Sequence, residues 1–299
     1  MLSRRKLILC LFLASTVFGF LTWMRMKPEQ IHETPRTTKP IFSETFPAHP
    51  RFSREVSSLL TSQALSSSNE RLIHASVIKA SQHLDIPTGL LWCLLFQESR
   101  FNHLAGINES FVSTGLGQFS FSAFYEINHQ LDRYLKSPKQ TLVALLGQDV
   151  RPIIADSENP TAPHSYYNIQ TGVTASALYL NNRKIQLERI LQQKHIRYSS
   201  DILWVWAALS YNKGTRTTLS LWNQIQKAYG LEGLQDRLTQ PELFIQAIGD
   251  KGLLFSALKG IWQENQISPF AEELWRHSQS IKECSFNPSL FEKHSEVSK

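Results

Sequence analysis

Leu90-Leu91-Trp92-Cys93-Leu94-Leu95-Phe96-Gln97-Glu98-Ser99-Arg100 is the stretch on which the fold turns. The run from Leu90 to Phe96 has no polar stripe. A helix of this kind is buried on every side, which makes it the expected central helix of an α-helical core. Asp85-Ile86-Pro87-Thr88 precedes it and opens the helix, with proline at a position a first turn tolerates. Glu98 stands three, four and seven residues after Leu95, Leu94 and Leu91, so its carboxyl shares their stripe at the helix end. Partial desolvation and the negative end of the helix dipole both disfavour the carboxylate there and raise its pKa. A glutamate that stays protonated near neutrality can act as a general acid. The plainer reading is a rim glutamate turned to solvent or paired with Arg100, and this helix alone leaves both open.

The same periodicity extends outward on both sides. Upstream, Ser66-Ser67-Ser68-Asn69 caps a helix over 70–84 that places Leu72, Ile73, Val77, Ala80 and Leu84 near helical spacing. Downstream, a loop containing Gly106, Asn108, Gly115 and Gly117 leads to helices expected at 120–128 and 140–146, with an excursion at 151–164. Helical patterning resumes at 169–191, 203–211, 218–229, 241–248, 253–265 and 269–281. Strand-like alternation is almost absent, so the class is mainly α.

At its start the chain reads Ser3-Arg4-Arg5-Lys6 followed by uncharged residues from Leu7 to Met24, long enough to cross most of a bilayer core. Phe18-Gly19-Phe20-Leu21-Thr22-Trp23 offers no small-x-small cleavage site, which favours an uncleaved signal anchor over a removed signal peptide. The cations ahead of this segment place the N-terminus in the cytoplasm and the remainder outside it. Four sections are expected: the anchor or signal peptide at 1–27, a tether at 28–66, a catalytic domain at 67–228 and a helical extension with a tail at 229–299. The tether is rich in Pro, Thr and Glu.

A net charge of +6 suits an anionic partner such as a cell-wall polymer or membrane surface. The basic residues form no stripe interleaved with aromatics, so no nucleic acid is expected. Cysteine and histidine lack zinc-like spacing, so neither a metal nor a cofactor is expected. Leu9 precedes Cys10, against lipidation. Cys93 and Cys284 are able to pair in an oxidising compartment, but the apolar setting of Cys93 favours a buried free thiol.

Four short segments then follow one another along the chain. Glu98-Ser99-Arg100-Phe101-Asn102 is followed by Gly115-Leu116-Gly117-Gln118. Asn168-Ile169-Gln170-Thr171-Gly172 comes next with Tyr179-Leu180, and Leu209-Ser210-Tyr211-Asn212-Lys213-Gly214 is last. In this order they resemble the E-S-x-F-N, G-L-M-Q, N-I-x-x-G with Y-L, and A-x-Y-N-x-G segments of soluble-lytic-transglycosylase-type domains, which belong to the lysozyme-like and goose-type lysozyme superfamily. The resemblance covers roughly Glu70 to Trp222. It implies a lysozyme-like fold in which Glu98 acts as acid and then base on the β-1,4 bond between N-acetylmuramic acid and N-acetylglucosamine, leaving a 1,6-anhydro end. Ser99, Gly115, Gln118, Tyr211 and Asn212 would be the substrate-binding residues. Peptidoglycan strands, the membrane and an envelope protein complex are the implied partners, with the catalytic domain in the periplasm, or secreted after signal cleavage.

Several features depart from that pattern. The loop from Glu98 to Gln118 is longer than the usual family spacing, so Ser110 and Ser113 compete for the place of its loop serine. Gly117 replaces the family's methionine, either opening a wall of the site or adapting the loop. Lys213 replaces a small residue and is either a cation beside the cleft or a solvated lysine. Paired carboxylates would favour hydrolysis. Glu109, Glu126 and Asp132 are available for that role, each more simply a loop or helix-surface acid. Tyr166, Tyr167, Trp204, Trp206 and Trp222 are either sugar-stacking or core aromatics, the core being the usual place for such spacing. A goose-type lysozyme-like hydrolase and a non-catalytic wall-binding scaffold are the competing readings.

Overall fold

The computed structural model describes residues 50–107, 113–129, 140, 143–145, 152–250, 252–253 and 256–257. The expected membrane segment and most of the tether lie outside them, as do Cys10, Glu109, Ser110, Asp132, Cys284 and the helix at 269–281. Among the described residues no helix is long and apolar enough to cross a membrane, and no group of side chains is placed to hold a metal ion.

The fold is mainly α, as the patterning predicts. In chain order the named helices are α1 (Pro50–Thr61), α2 (Ser67–Leu84), α3 (Thr88–Ser99), α4 (Phe121–His129), α5 (Ile169–Gln193), α6 (Ser200–Lys213), α7 (Thr215–Thr239) and α8 (Pro241–Gly249). Extended pairing among the described residues is confined to the isolated bridges Thr114 to Phe119 and Ile154 to Ser165.

Local chemistry accounts for most of these boundaries. Ser66 caps α2 by accepting the amide of Asn69, while Asp85 ends that helix in the left-handed region and returns its N–H to Ser81. Arg100 ends α3 in the same way, with its N–H on the Phe96 carbonyl. Asn168 caps α5 through the amides of Gln170 and Thr171, and its own side-chain amide donates to the Thr161 carbonyl at 2.8 Å. Of the helix expected at 140–146, Gln140 and residues 143–145 are helical.

Residues Leu90 to Phe96 of α3 are all buried, as their uniform apolarity predicts. The helix that gathers the others, however, is α5, which packs against α2, α3, α4, α6 and α7. Its small residues Gly172, Ala175, Ser176 and Ala177 let neighbouring elements approach, and its length reaches all of them. The aromatics Trp204, Trp206 and Trp222 are core residues, with Trp206 and Trp222 edge to face at 5.7 Å.

Two findings differ from the expected sections. Part of the tether is helical, because Phe52, Val56, Leu59 and Leu60 of α1 recur at helical spacing, and Leu59 and Leu60 pack against the core. The boundary at 229 falls inside α7, whose one non-helical residue is Gly230 (φ 73°, ψ −179°). Beyond it, Leu234, Leu238 and Phe244 join the same core, and Phe244 meets Trp206 at 5.2 Å. The start of the expected extension thus completes the core.

Cys93 is disulfide-bonded, not the free thiol its apolar setting suggests, and its partner lies outside the described residues. Burial and oxidation are compatible, since a half-cystine packs as an apolar group.

Asn168→Ala deletes a cap with bonds to two amides and is expected to lower stability by about 1 kcal/mol. Urea unfolding followed by far-ultraviolet circular dichroism measures this, with the slope of the transition unchanged.

Candidate active site

Glu98 lies in the last turn of α3 and is half-buried. Asn212, in the last turn of α6, donates its side-chain Nδ2 to the Glu98 Oε1 at 3.0 Å. The neighbouring Arg100 forms an ion pair with Glu55 of α1 at 2.9 Å and lies over the Phe96 ring. Ser99 donates back to the Leu95 carbonyl at 3.2 Å within its own helix.

Linked to these groups through Tyr211, the residue before Asn212, Gly115 to Gln118 form a tight turn closed by paired backbone bonds. The Thr114 N–H meets the Phe119 carbonyl at 3.1 Å, and the Phe119 N–H meets the Thr114 carbonyl at 2.8 Å. Gly115 has φ 68°, a left-handed conformation that glycine adopts freely, and a Cβ there would also press on the Tyr166 ring. Gln118 braces the turn from inside. Its Nε2 donates to the Gly115 carbonyl at 2.9 Å, while its Oε1 accepts the Ser113 hydroxyl at 2.8 Å. Ser113 therefore has a definite place beside Gln118.

Gly117 is the tightest point. Its N–H donates to the Tyr166 hydroxyl at 3.0 Å, and its carbonyl accepts the Tyr211 hydroxyl at 2.8 Å. Tyr166 and Ser176 are hydrogen-bonded at 2.9 Å, and Ser176 donates to the Gly172 carbonyl at 2.7 Å. Because each hydroxyl has one proton, Tyr166 is the donor to Ser176. The result is a directed chain from the Gly117 amide to the Gly172 carbonyl. A Cβ on Gly117 would collide with the Ser176, Tyr211 and Tyr166 hydroxyls together. Methionine cannot occupy this place in the present backbone, and Gly117 serves the packing of the loop.

Burial pushes the Tyr166 and Tyr211 hydroxyls well above the ordinary tyrosine pKa, and the Glu98 carboxylate adds to the rise in both. They remain neutral donors across the physiological range. Tyr166 and Tyr167 are fully buried, and the hydroxyls of Tyr167 and Thr114 meet at 2.6 Å, so neither ring is free to stack on a sugar.

Glu126 is not the helix-surface acid its position in the sequence suggests. It is buried against α5, paired with Arg183 at 2.7 Å and accepting from Gln186 at 3.0 Å and from Asn182. Lys213, the last residue of α6, is half-buried.

The structure brings Glu98, Asn212, Tyr211, Gly115 and Gln118 into one assembly, with Ser99 beside it on α3. Sequence reasoning placed Tyr166 among stacking or core aromatics and passed over Ser176. Tyr166 holds the Gly117 amide and Ser176 holds the Tyr166 hydroxyl, and the only signal for them was their nearness to the N-I-x-x-G segment. Chemically, the assembly is one half-buried carboxyl with an amide donor beside it and neutral phenols behind it. That arrangement can exchange a single proton with a bound hydroxyl or ether oxygen. Compared with known proteins, the chain matches no family model, no curated protein and no solved structure.

Two outcomes follow. Gly117→Ala is expected to cost about 1–3 kcal/mol by overpacking, measured by urea unfolding. Tyr166 and Tyr211, protonated in the fold above their ordinary pKa of 10.0, leave stability flat below that pH and erode it as pH rises past it. An alkaline titration followed at the phenolate absorption band should show these hydroxyls ionising together with loss of helix signal, not before it.

Proposed function

We propose that this protein is a lytic transglycosylase with a lysozyme-like domain, cleaving the β-1,4 bond between N-acetylmuramic acid and N-acetylglucosamine in peptidoglycan. The observation that carries this reading is the hydrogen bond from Asn212 to Glu98. It joins the first and last of four segments whose order resembles that family, across most of the domain. The contact of Tyr211 with Gly117 joins the last segment to the second in the same way.

In the proposed reaction the carboxyl of Glu98 gives its proton to the glycosidic oxygen as the bond from that oxygen to the muramic C1 breaks. The muramic 6-hydroxyl oxygen then bonds to C1 and releases its proton to the Glu98 carboxylate. The glycan gains a 1,6-anhydro ring, no water is consumed, and Glu98 ends as it began. The Asn212 amide holds the carboxyl in place through both transfers. Gln118 and the Gly115 turn shape the groove in front of it, although both ends of the Gln118 amide are already engaged by the turn. Glu126, the described alternative for a second acid, is committed to Arg183, which favours internal attack over the two-carboxylate hydrolytic scheme.

The reading places the domain on the outer side of a bacterial inner membrane, held by the N-terminal segment and acting with an envelope protein complex. The disulfide at Cys93 supports an oxidising compartment.

The test is mass analysis of muropeptides released from purified sacculi by the full-length protein, beside Glu98→Gln. Anhydromuramyl products and a loss of at least about 10²-fold in the variant are expected. Reducing ends gained with water would assign the hydrolase reading. Equal digestion by both proteins would remove Glu98 from the chemistry, and no digestion by either would favour a wall-binding scaffold.

A further inference from the structure

Tyr211 has a second neighbour that leads away from Glu98. Its ring meets the edge of the Tyr179 ring at a centroid distance of 5.0 Å. The guanidinium of Arg183 lies 4.3 Å over that same Tyr179 ring and is hydrogen-bonded to its hydroxyl. One arm of Arg183, Nη2, donates to Glu126 Oε2 on α4 at 2.7 Å. The other arm, Nη1, donates to Gln186 at 3.1 Å and to the Thr215 hydroxyl at 3.4 Å. Thr215 in turn donates to Gln186 Oε1 at 2.9 Å and meets the Ser210 hydroxyl at 3.1 Å. Ser210 and Thr215 flank the segment Tyr211 to Gly214, which carries both Tyr211 and Asn212. Arg183 therefore reaches both sides of that segment, through Tyr179 on one and through Thr215 on the other.

Stability is a poor explanation for this arrangement. Desolvating two charges offsets most of what a buried ion pair gains, and apolar residues of similar volume often do as well. The cluster also leaves Asn182 Oδ1 and Arg183 Nε buried without a partner, and unsatisfied buried groups of this kind are costly. What a planar, multiply bonded guanidinium supplies is fixed geometry.

We propose that Arg183 is a positioning residue for the Glu98 site, tying α4, α5 and the junction of α6 with α7 into one unit that fixes where Tyr211 and Asn212 present their polar groups. The proposal deepens the transglycosylase reading and rests on it for its effect on rate. Its effect on Asn212 is independent of any activity.

Two variants of the full-length protein test it. Arg183→Lys retains the charge but loses the fork, and Thr215→Val retains the volume but removes the hydroxyl that connects Arg183 to the junction. With asparagine labelled by nitrogen-15, the side-chain amide signal of Asn212, assigned by its loss in Asn212→Asp, is expected to move in both variants. On sacculi the turnover rate should fall about tenfold or more, since small misplacements of reacting groups are costly. KM should stay within about twofold, because an interaction felt in the transition state is lost while substrate binding is retained. An unmoved Asn212 signal in the folded variants overturns the proposal whatever the activity. So does an unchanged turnover rate with a moved signal. If the unaltered protein does not cleave glycan, the functional reading fails, and the Asn212 signal alone decides the role of Arg183.

Discussion

The backbone at Gly117 is confined between the hydroxyls of Tyr166 and Tyr211, and the rest of the site depends on that confinement. Tyr166 comes from the segment leading into α5, Tyr211 from the end of α6 and Gly117 from the turn after α3. Three parts of the chain are thus registered at the backbone of one residue, through the peptide units on either side of it. Tyr211 can hold the Gly117 carbonyl only if α6 ends where it does, and that ending also brings Asn212 onto Glu98. The directed bonds from the Gly117 amide through the Tyr166 and Ser176 hydroxyls to the Gly172 carbonyl leave none of these four groups unsatisfied, so the Tyr166 phenol can be buried at tolerable cost.

Much of the helical framework was legible because its signals are local. The apolar run of α3, the capping serine before α2 and the asparagine before α5 each act within a few residues. The role of α5 as the hub was not legible from the same signals. Its pattern mixes small, polar and apolar residues, and buried Ser176, Asn182 and Arg183 give no local sign of burial because each bonds to a partner outside the helix. Helix α1 was obscured by its neighbours, since a proline-rich and threonine-rich stretch runs directly into an amphipathic turn pattern.

The candidate site divides along the same line. Glu98 was marked by its own helix, and the ordered segments pointed to Gln118, Tyr211 and Asn212. Whether Glu126 stood at the surface or inside was undecidable locally, because its burial depends on Arg183, 57 positions away. Gly117 was ambiguous for the same reason. A missing side chain looks alike whether it opens a space or yields one to a neighbour, and only the three hydroxyls above it distinguish the two. The state of Cys93 likewise depended on a distant cysteine and not on its apolar surroundings.

The bond between Asn212 and Glu98 spans 114 positions, and the one between Tyr211 and Gly117 spans 94. A nascent chain has Glu98 well before Asn212, and Gly117 well before Tyr211. The bonded arrangement around Glu98 is therefore absent from every truncated intermediate and forms only with the finished domain. Sequence separation itself thus acts as a check that the domain is complete.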